Sequence, residues 1–354
     1  MRRVLFLSPG LIIGGAERVI TTVTAGLDQA RFDVHIGVIN PGGELEADVA
    51  PHVTMHEIGA DRALTSGPAL RSLVKSLDAD VVFSHLTHLN MALSMTRRFL
   101  PRDVLTLLGQ HSVPTKDEVA VLGRRLPTKA LKIYRQADGV VSCSTEVTRE
   151  LVDVVGLRSD KVHTINNPVD EHRFDPGLPN PYVGPGPHLL GLGTLKPDKA
   201  FHRLVEAFAQ LDPAIGAQLW IVGEGEERGR IEAQIKSDGV AGRVHLVGAT
   251  ADVEPWITHA AVVVSSSRSE AQPVVILEAL AARTPVVAFD CPGGMRGLLE
   301  GRTGTTLVPD GDTERLSEAI SMTLSGFPSP RLPHHHKVDV ICAQYEGLFA
   351  GSKN

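Results

Sequence analysis

The sequence predicts an α/β fold of two doubly wound parallel sheets, and three observations carry that prediction. Short β-branched runs end at glycine, serine or histidine and lead into longer segments of helical period, as parallel strands covered on both faces require. The alternation begins afresh in the second half of the chain. Between the halves, D-P-G-L-P-N-P-Y-V-G-P-G-P at 175–187 carries too much proline and glycine for a regular element. With 354 residues and 42% hydrophobic content, the chain can bury two ordinary cores. The domains expected are residues 1–175 and 188–330, joined by a linker over 176–187 and followed by a tail over 331–354.

In chain order, the first half offers strands at Val4–Leu7, Val34–Ile39, Val53–Ile58, Val81–Phe83, Val104–Leu108 and Val140–Val141. The second half offers Leu189–Leu192, Leu219–Val222, Val244–Val247, Val262–Val264, Pro285–Phe289 and Thr305–Val308, with helices such as Phe201–Leu211 and Ile231–Ser237 between them. Two such domains are expected to face each other across a cleft, with ligands beyond the carboxyl ends of the strands. The residues that follow each strand are therefore the candidates for function.

Composition excludes several classes. The net charge is −6, and neither half has the basic excess of a nucleic-acid binder. Three widely spaced cysteines, Cys143, Cys291 and Cys342, form no Cys-x-x-Cys pair, which argues against a disulfide framework or zinc knuckle and for a reducing cytoplasm. The opening M-R-R-V-L-F-L imitates a signal peptide, but Ser8-Pro9-Gly10 breaks its apolar run. No apolar stretch approaches the roughly 18 residues of a spanning helix.

Four stretches could carry chemistry. In S-P-G-L-I-I-G-G-A-E-R, Gly14 and Gly15 precede a helix from about Ala16, whose free amides could receive an anion; a plain tight turn fits the spacing equally. His111 follows the strand ending at Leu108, and His85 holds a similar place after Val81–Phe83; each is either functional or a hydrogen-bonded structural group. In G-T-L-K-P-D-K, Lys196 and Lys199 could offer ammonium groups to a phosphate, or lie on a solvated turn. In R-S-E-A-Q-P-V-V-I-L-E-A, Pro273 suits the first helical position, which makes Gln272 the cap, leaves Glu270 in the loop and puts Glu278 in the second turn. The two glutamates could flank a ligand or be ordinary surface charges, with Glu278 paired to Arg283.

Together these stretches resemble the retaining glycosyltransferases of the GT-B fold, family 4, over nearly the whole chain. The Glu270–Glu278 stretch with Leu277-Glu278-Ala279-Leu280-Ala281 is the most specific element. T-P-V-V-A-F-D-C-P-G-G at 284–294, G-G-A-E-R at 14–18, I-V-G-E-G at 221–225 and T-L-V-P-D-G-D at 306–312 resemble further family segments. There are three departures from the family pattern: Thr194 stands in place of an arginine, Ala271 in place of a glycine, and Ala282-Arg283 in place of Cys/Ala-Gly.

The resemblance implies a first domain facing the acceptor and a second that binds a nucleoside-diphosphate sugar, with uridine as the first expectation for the base and an N-acetylhexosamine for the sugar. It implies that Glu278 grips the ribose hydroxyls, that Glu270 and His111 lie by the donor sugar, and that Ala271, Gln272, Pro273, Val274 and Val275 offer backbone contacts. Lys199 would offset the diphosphate charge, and Gly14 and Gly15 would approach it from the other domain. No metal cofactor is implied, and the acceptor would be a glycan, a lipid-linked molecule or a small molecule. The helical V-D-V-I-C-A-Q-Y-E-G-L-F of the tail would pack on the first domain. A non-catalytic nucleotide-sugar-binding protein, or a hydrolase or epimerase on the same fold, are the alternatives.

Asp78-Ala79-Asp80 imitates an Asp-x-Asp metal motif but precedes its strand, so it reads as structural. His334-His335-His336 reads as a loop in a proline-rich segment. Residues 124–135 read as an amphipathic basic helix with Arg125, Lys129 and Lys132 on one face, either touching an anionic membrane at the cytoplasmic side or simply solvated.

Overall fold

The computed structural model describes residues 1–116, 120–121, 124–125 and 127–351. The chain divides into two compact units, Met1–Pro168 with His335–Asn354, and Val169–His334.

In the first unit the strands are β1 (Arg2–Ser8), β2 (Phe32–Val38), β3 (Thr54–Glu57), β4 (Val81–His85), β5 (Leu105–Gln110), a small antiparallel pair β6 (Ala120–Val121) and β7 (Arg124–Arg125), then β8 (Gly139–Ser142) and β9 (Val162–Thr164). Seven of them form one parallel sheet in the order β3-β2-β1-β4-β5-β8-β9. β9 is absent from the sequence reading because V-H-T has only one apolar residue and no alternation to betray it. The C-terminal helix Val338–Ala350 belongs to this unit. It packs so closely on the helix Gly15–Gly26 that a Cβ at Gly26 would lie 2.7 Å from Cys342 Sγ. Arg31 pairs with Glu346 at 2.5 Å, and Arg2 donates to the Phe349 carbonyl.

The second unit carries β10 (His188–Leu192), β11 (Gln218–Val222), β12 (Val244–Gly248), β13 (Val262–Ser265), β14 (Val286–Asp290) and β15 (Thr305–Pro309), paired in parallel in the order β12-β11-β10-β13-β14-β15. Both faces are covered, so successive strand residues enter different cores. Leu189, Leu219, Ile221 and Val262 pack with Leu204, Phe208 and Ile320 on one side, whereas Leu190, Trp220, Val222 and Val263 pack with Ile257, Leu277 and Leu280 on the other. That double burial is why the strands read as nearly continuous apolar runs. In each unit the strand order reverses once, between β1 and β4 and between β10 and β13. In open sheets of this kind, such a reversal is where ligands bind beyond the strands' carboxyl ends.

Candidate functional site

In the second unit, the loops leaving β10 and β13 meet at the reversal point. The Arg268 amide donates to the Asp198 carbonyl at 2.7 Å, and Ser266 Oγ donates to the Lys199 carbonyl at 2.9 Å. Lys199 Nζ then donates to Glu270 Oε1 at 2.6 Å. Burial alone would lower the pKa of this ammonium, but the charge and hydrogen bond of Glu270 outweigh it and hold the pKa above its usual value. Lys196, three residues away, is exposed. The loop after β14 completes the junction, because the Glu270 amide donates to the Pro292 carbonyl at 3.0 Å and the Gly294 amide to the Glu270 carbonyl at 2.7 Å. The Cys291 thiol beside it is pushed up to about 12, chiefly by burial and further by the Glu270 charge, so it stays protonated near neutral pH.

The following helix runs Val274–Ala281. Its cap is Pro273, in extended conformation at φ −71° and ψ 117°, which moves the start one residue on from the sequence expectation of a Gln272 cap. Proline suits either place because it lacks the N–H that both leave unused. No side chain caps the helix, and the Val274 and Val275 amides lie in its first turn, where intrahelical acceptors are lacking. Glu278 is only 4% exposed, so it is no ordinary surface charge. Ala271 is buried, and neither it nor Thr194 is among the non-glycine residues at positive φ; replacing glycine at 271 therefore strains no backbone. Arg283 is different: at φ +60° it occupies the left-handed position after the helix that glycine favours.

In the first unit, β4 and β5 run parallel with His85 opposite Gly109, which brings His111 beside His85. His85 Nδ1 and His111 Nε2 are 2.8 Å apart and the rings stack at 5.0 Å. Burial pushes the pKa of His111 down to about 4 and that of His85 well below the usual imidazole range, the latter also through His111. Both are neutral near pH 7. Their outer nitrogens, His85 Nε2 and His111 Nδ1, are buried without a hydrogen-bond partner among the described residues. Gly14 caps the helix Gly15–Gly26, and a Cβ built on it would lie 2.3 Å from Glu17 Oε2. The contact is with the tip of a flexible side chain, and the acidic Glu17 lies at the helix start where the sequence suggested open amides for an anion.

Several sequence expectations change. Arg125 lies on β7 and not on a helix, because Pro127 intervenes; the helix that follows is a 3₁₀ helix, Thr128–Gln136. Its three-residue period still aligns exposed Lys129 and Lys132, with Arg135, opposite buried Leu131 and Tyr134. Residues 122–123 and 126 of that neighbourhood lie outside the described residues. His334–His336 form a 3₁₀ turn, not an open loop, in which His336 is buried with Nδ1 2.9 Å from the Asn167 carbonyl. Asp80 accepts the Arg3 amide at 2.8 Å, a structural use. Among the described residues there is no group of three potential metal ligands, and no helix long and apolar enough to cross a membrane.

The two sheets match solved structures along essentially the whole chain. Anabaena Alr3699/HepE in complex with UDP and glucose superposes with a TM-score of 0.79 at 19% identity, covering 99% of this chain and 100% of that one. Sucrose-phosphate synthase (tll1590) from Thermosynechococcus elongatus gives 0.81 at 20% identity, covering 99% and 98%. The fold is GT-B. The profile described as Glycosyltransferase Family 4 matches residues 13–173, and that described as Glycosyl transferases group 1 matches residues 186–325. The chain belongs to the family 4 glycosyltransferases of the GT-B fold. The lipopolysaccharide core biosynthesis glycosyltransferase LpsE of Rhizobium meliloti is 32% identical over 207 residues, 56% of this chain and 57% of that protein. Alignments with the first three curated relatives span between 31% and 57% of their lengths.

Proposed function

We propose that the chain transfers a sugar, with retention of anomeric configuration, from a uridine-diphosphate sugar to a hydroxyl of a bacterial glycan, lipid-linked or small-molecule acceptor. The observation that carries this reading is the Lys199–Glu270 pair at the sheet's reversal point, with buried Glu278 on the helix that follows. A ribose diol offers two O–H donors, and the carboxylate of Glu278 has two oxygens to accept them. The first-turn amides Val274 and Val275, with the backbone of Ala271, Gln272 and Pro273, would receive donor oxygens. Lys199 would offset the charge that grows on the departing diphosphate, a differential stabilisation that favours the transition state. Glu270 and His111 would lie by the donor sugar, and Gly14 and Gly15 by the diphosphate, as the family resemblance implies. Neutral His111 can donate or accept one hydrogen bond with a sugar hydroxyl. The leaving-group charge is assigned to Lys199 and the helix amides, without a metal.

The HepE complexes with UDP and with UDP-glucose support uridine as the base. A thermal-shift panel of nucleotide sugars, followed by mass analysis of donor turnover, tests the reading. A uridine-diphosphate sugar should raise the melting temperature and release UDP in the presence of acceptor. A panel in which no nucleotide sugar stabilises the protein would contradict it. We further place the protein at the cytoplasmic face of the membrane through the basic stripe Lys129, Lys132 and Arg135 within the 124–135 region. Sedimentation with anionic against neutral liposomes tests this, and equal partitioning would remove it.

A further inference from the structure

Two hydrogen-bond donors converge on one oxygen of Glu270. Lys199 Nζ and Ser267 Oγ each lie 2.6 Å from Oε1, and Oε2 is engaged by neither. Ser267 is only 4% exposed, and the Glu270 side chain is 11% exposed. The serine hydroxyl has a single proton, and Ser265 Oγ, at the end of β13, donates to Ser267 Oγ at 3.4 Å. The direction of this short chain is therefore fixed: Ser265 to Ser267 to Glu270. Backbone bonds to Pro292 and Gly294 hold Glu270 at its amide and carbonyl, while Ser267 and Lys199 hold it at the far end of a side chain with three rotatable bonds.

The two donors differ in what a substrate does to them. A diphosphate carries more negative charge than a carboxylate and attracts the flexible Lys199 ammonium away from Glu270. A neutral hydroxyl on a short side chain feels no comparable pull. We propose that Ser267 is a positioning residue for Glu270: it keeps Oε1 fixed while Lys199 moves to the diphosphate, so that Oε2 stays directed at the donor sugar. The inference rests on the reading that Lys199 meets the diphosphate and Glu270 the sugar.

Crystal structures of the full chain carrying Lys199→Ala, and Lys199→Ala with Ser267→Ala, test the geometry. The Glu270 carboxylate should keep its place in the single variant and leave it in the double variant. In solution, Ser267→Ala should lower kcat for UDP release from UDP-glucose about tenfold, the effect of losing one charge-assisted hydrogen bond. UDP affinity by calorimetry should stay within about twofold, and Ser267→Thr, which keeps the hydroxyl, should restore most of the turnover. The proposal is overturned if the carboxylate moves in Lys199→Ala alone, if it stays put in the double variant, or if Ser267→Ala leaves turnover unchanged. It is equally overturned if UDP affinity falls in step with turnover, since that marks a merely structural serine. Failure of the underlying reading looks different: Lys199→Ala would then bind UDP as the unaltered protein does.

Discussion

Lys199 and Glu270, 71 residues apart in sequence, form an ion pair of 2.6 Å between the loops that leave β10 and β13. The lysine read as a phosphate ligand and the glutamate read as a sugar ligand thus satisfy each other. A mostly buried charge needs such a partner, since removing one member leaves the other desolvated and uncompensated. Binding of a donor would accordingly exchange one partner for another at Lys199 instead of meeting a free ammonium.

That exchange separates the two lysines of the loop. Lys199→Ala should lower UDP affinity by roughly one to two orders of magnitude, corresponding to about 1.5–3 kcal/mol for a charge-assisted contact. Lys196 is exposed and meets Lys199 through its backbone carbonyl, which alanine retains, so Lys196→Ala should change affinity by clearly less. Isothermal titration of UDP against both variants checks this; the reverse order would move the phosphate site away from Lys199.

The neutral histidine pair predicts a pH dependence of stability. The folded-state pKa of His111 is depressed from 6.5 to about 4, so below pH 6.5 the unfolded chain takes up the proton first. Stability should therefore fall as pH drops from about 6.5 towards 4, by at most about 1.4 kcal/mol per pH unit from His111. Urea denaturation across that range should show the decline, and His111→Gln should flatten it. An unchanged slope in the variant would contradict the buried neutral state.

Arg283 offers a stability test away from the site. Its left-handed φ of +60° follows a helix end at which the Thr284 amide donates to the Ala279 carbonyl at 2.9 Å, an arrangement that prefers glycine. Arg283→Gly should stabilise the protein by about 0.5–1 kcal/mol, less the added entropy of the unfolded chain. A lower melting temperature would show that the arginine side chain makes a compensating contribution.

Most of the fold was legible because strands buried on both faces leave uninterrupted apolar runs such as Leu219–Val222, whereas β9 left no such trace. The site was legible only in part. Glu270, Glu278 and Lys199 stood out by motif, but no spacing reveals which of Ser265, Ser266 and Ser267 turns its hydroxyl to Glu270. The His85–His111 pairing could have been anticipated, since adjacent parallel strands β4 and β5 end beside these residues. Glu17 folds its side chain back over Gly14, a choice of rotamer that sequence does not record.

The central claim, that Glu278 grips the nucleotide while Glu270 serves the sugar, is tested most directly by titrating UDP into Glu278→Gln and Glu270→Gln and measuring donor turnover in each. Glu278→Gln should weaken UDP binding about tenfold or more, since a charged acceptor of two ribose hydroxyls is lost. Glu270→Gln should leave UDP affinity equal or higher, because Lys199 is freed from its partner, while turnover falls. Unaltered affinity and turnover in both variants, or a loss of UDP binding in Glu270→Gln with none in Glu278→Gln, would contradict the account.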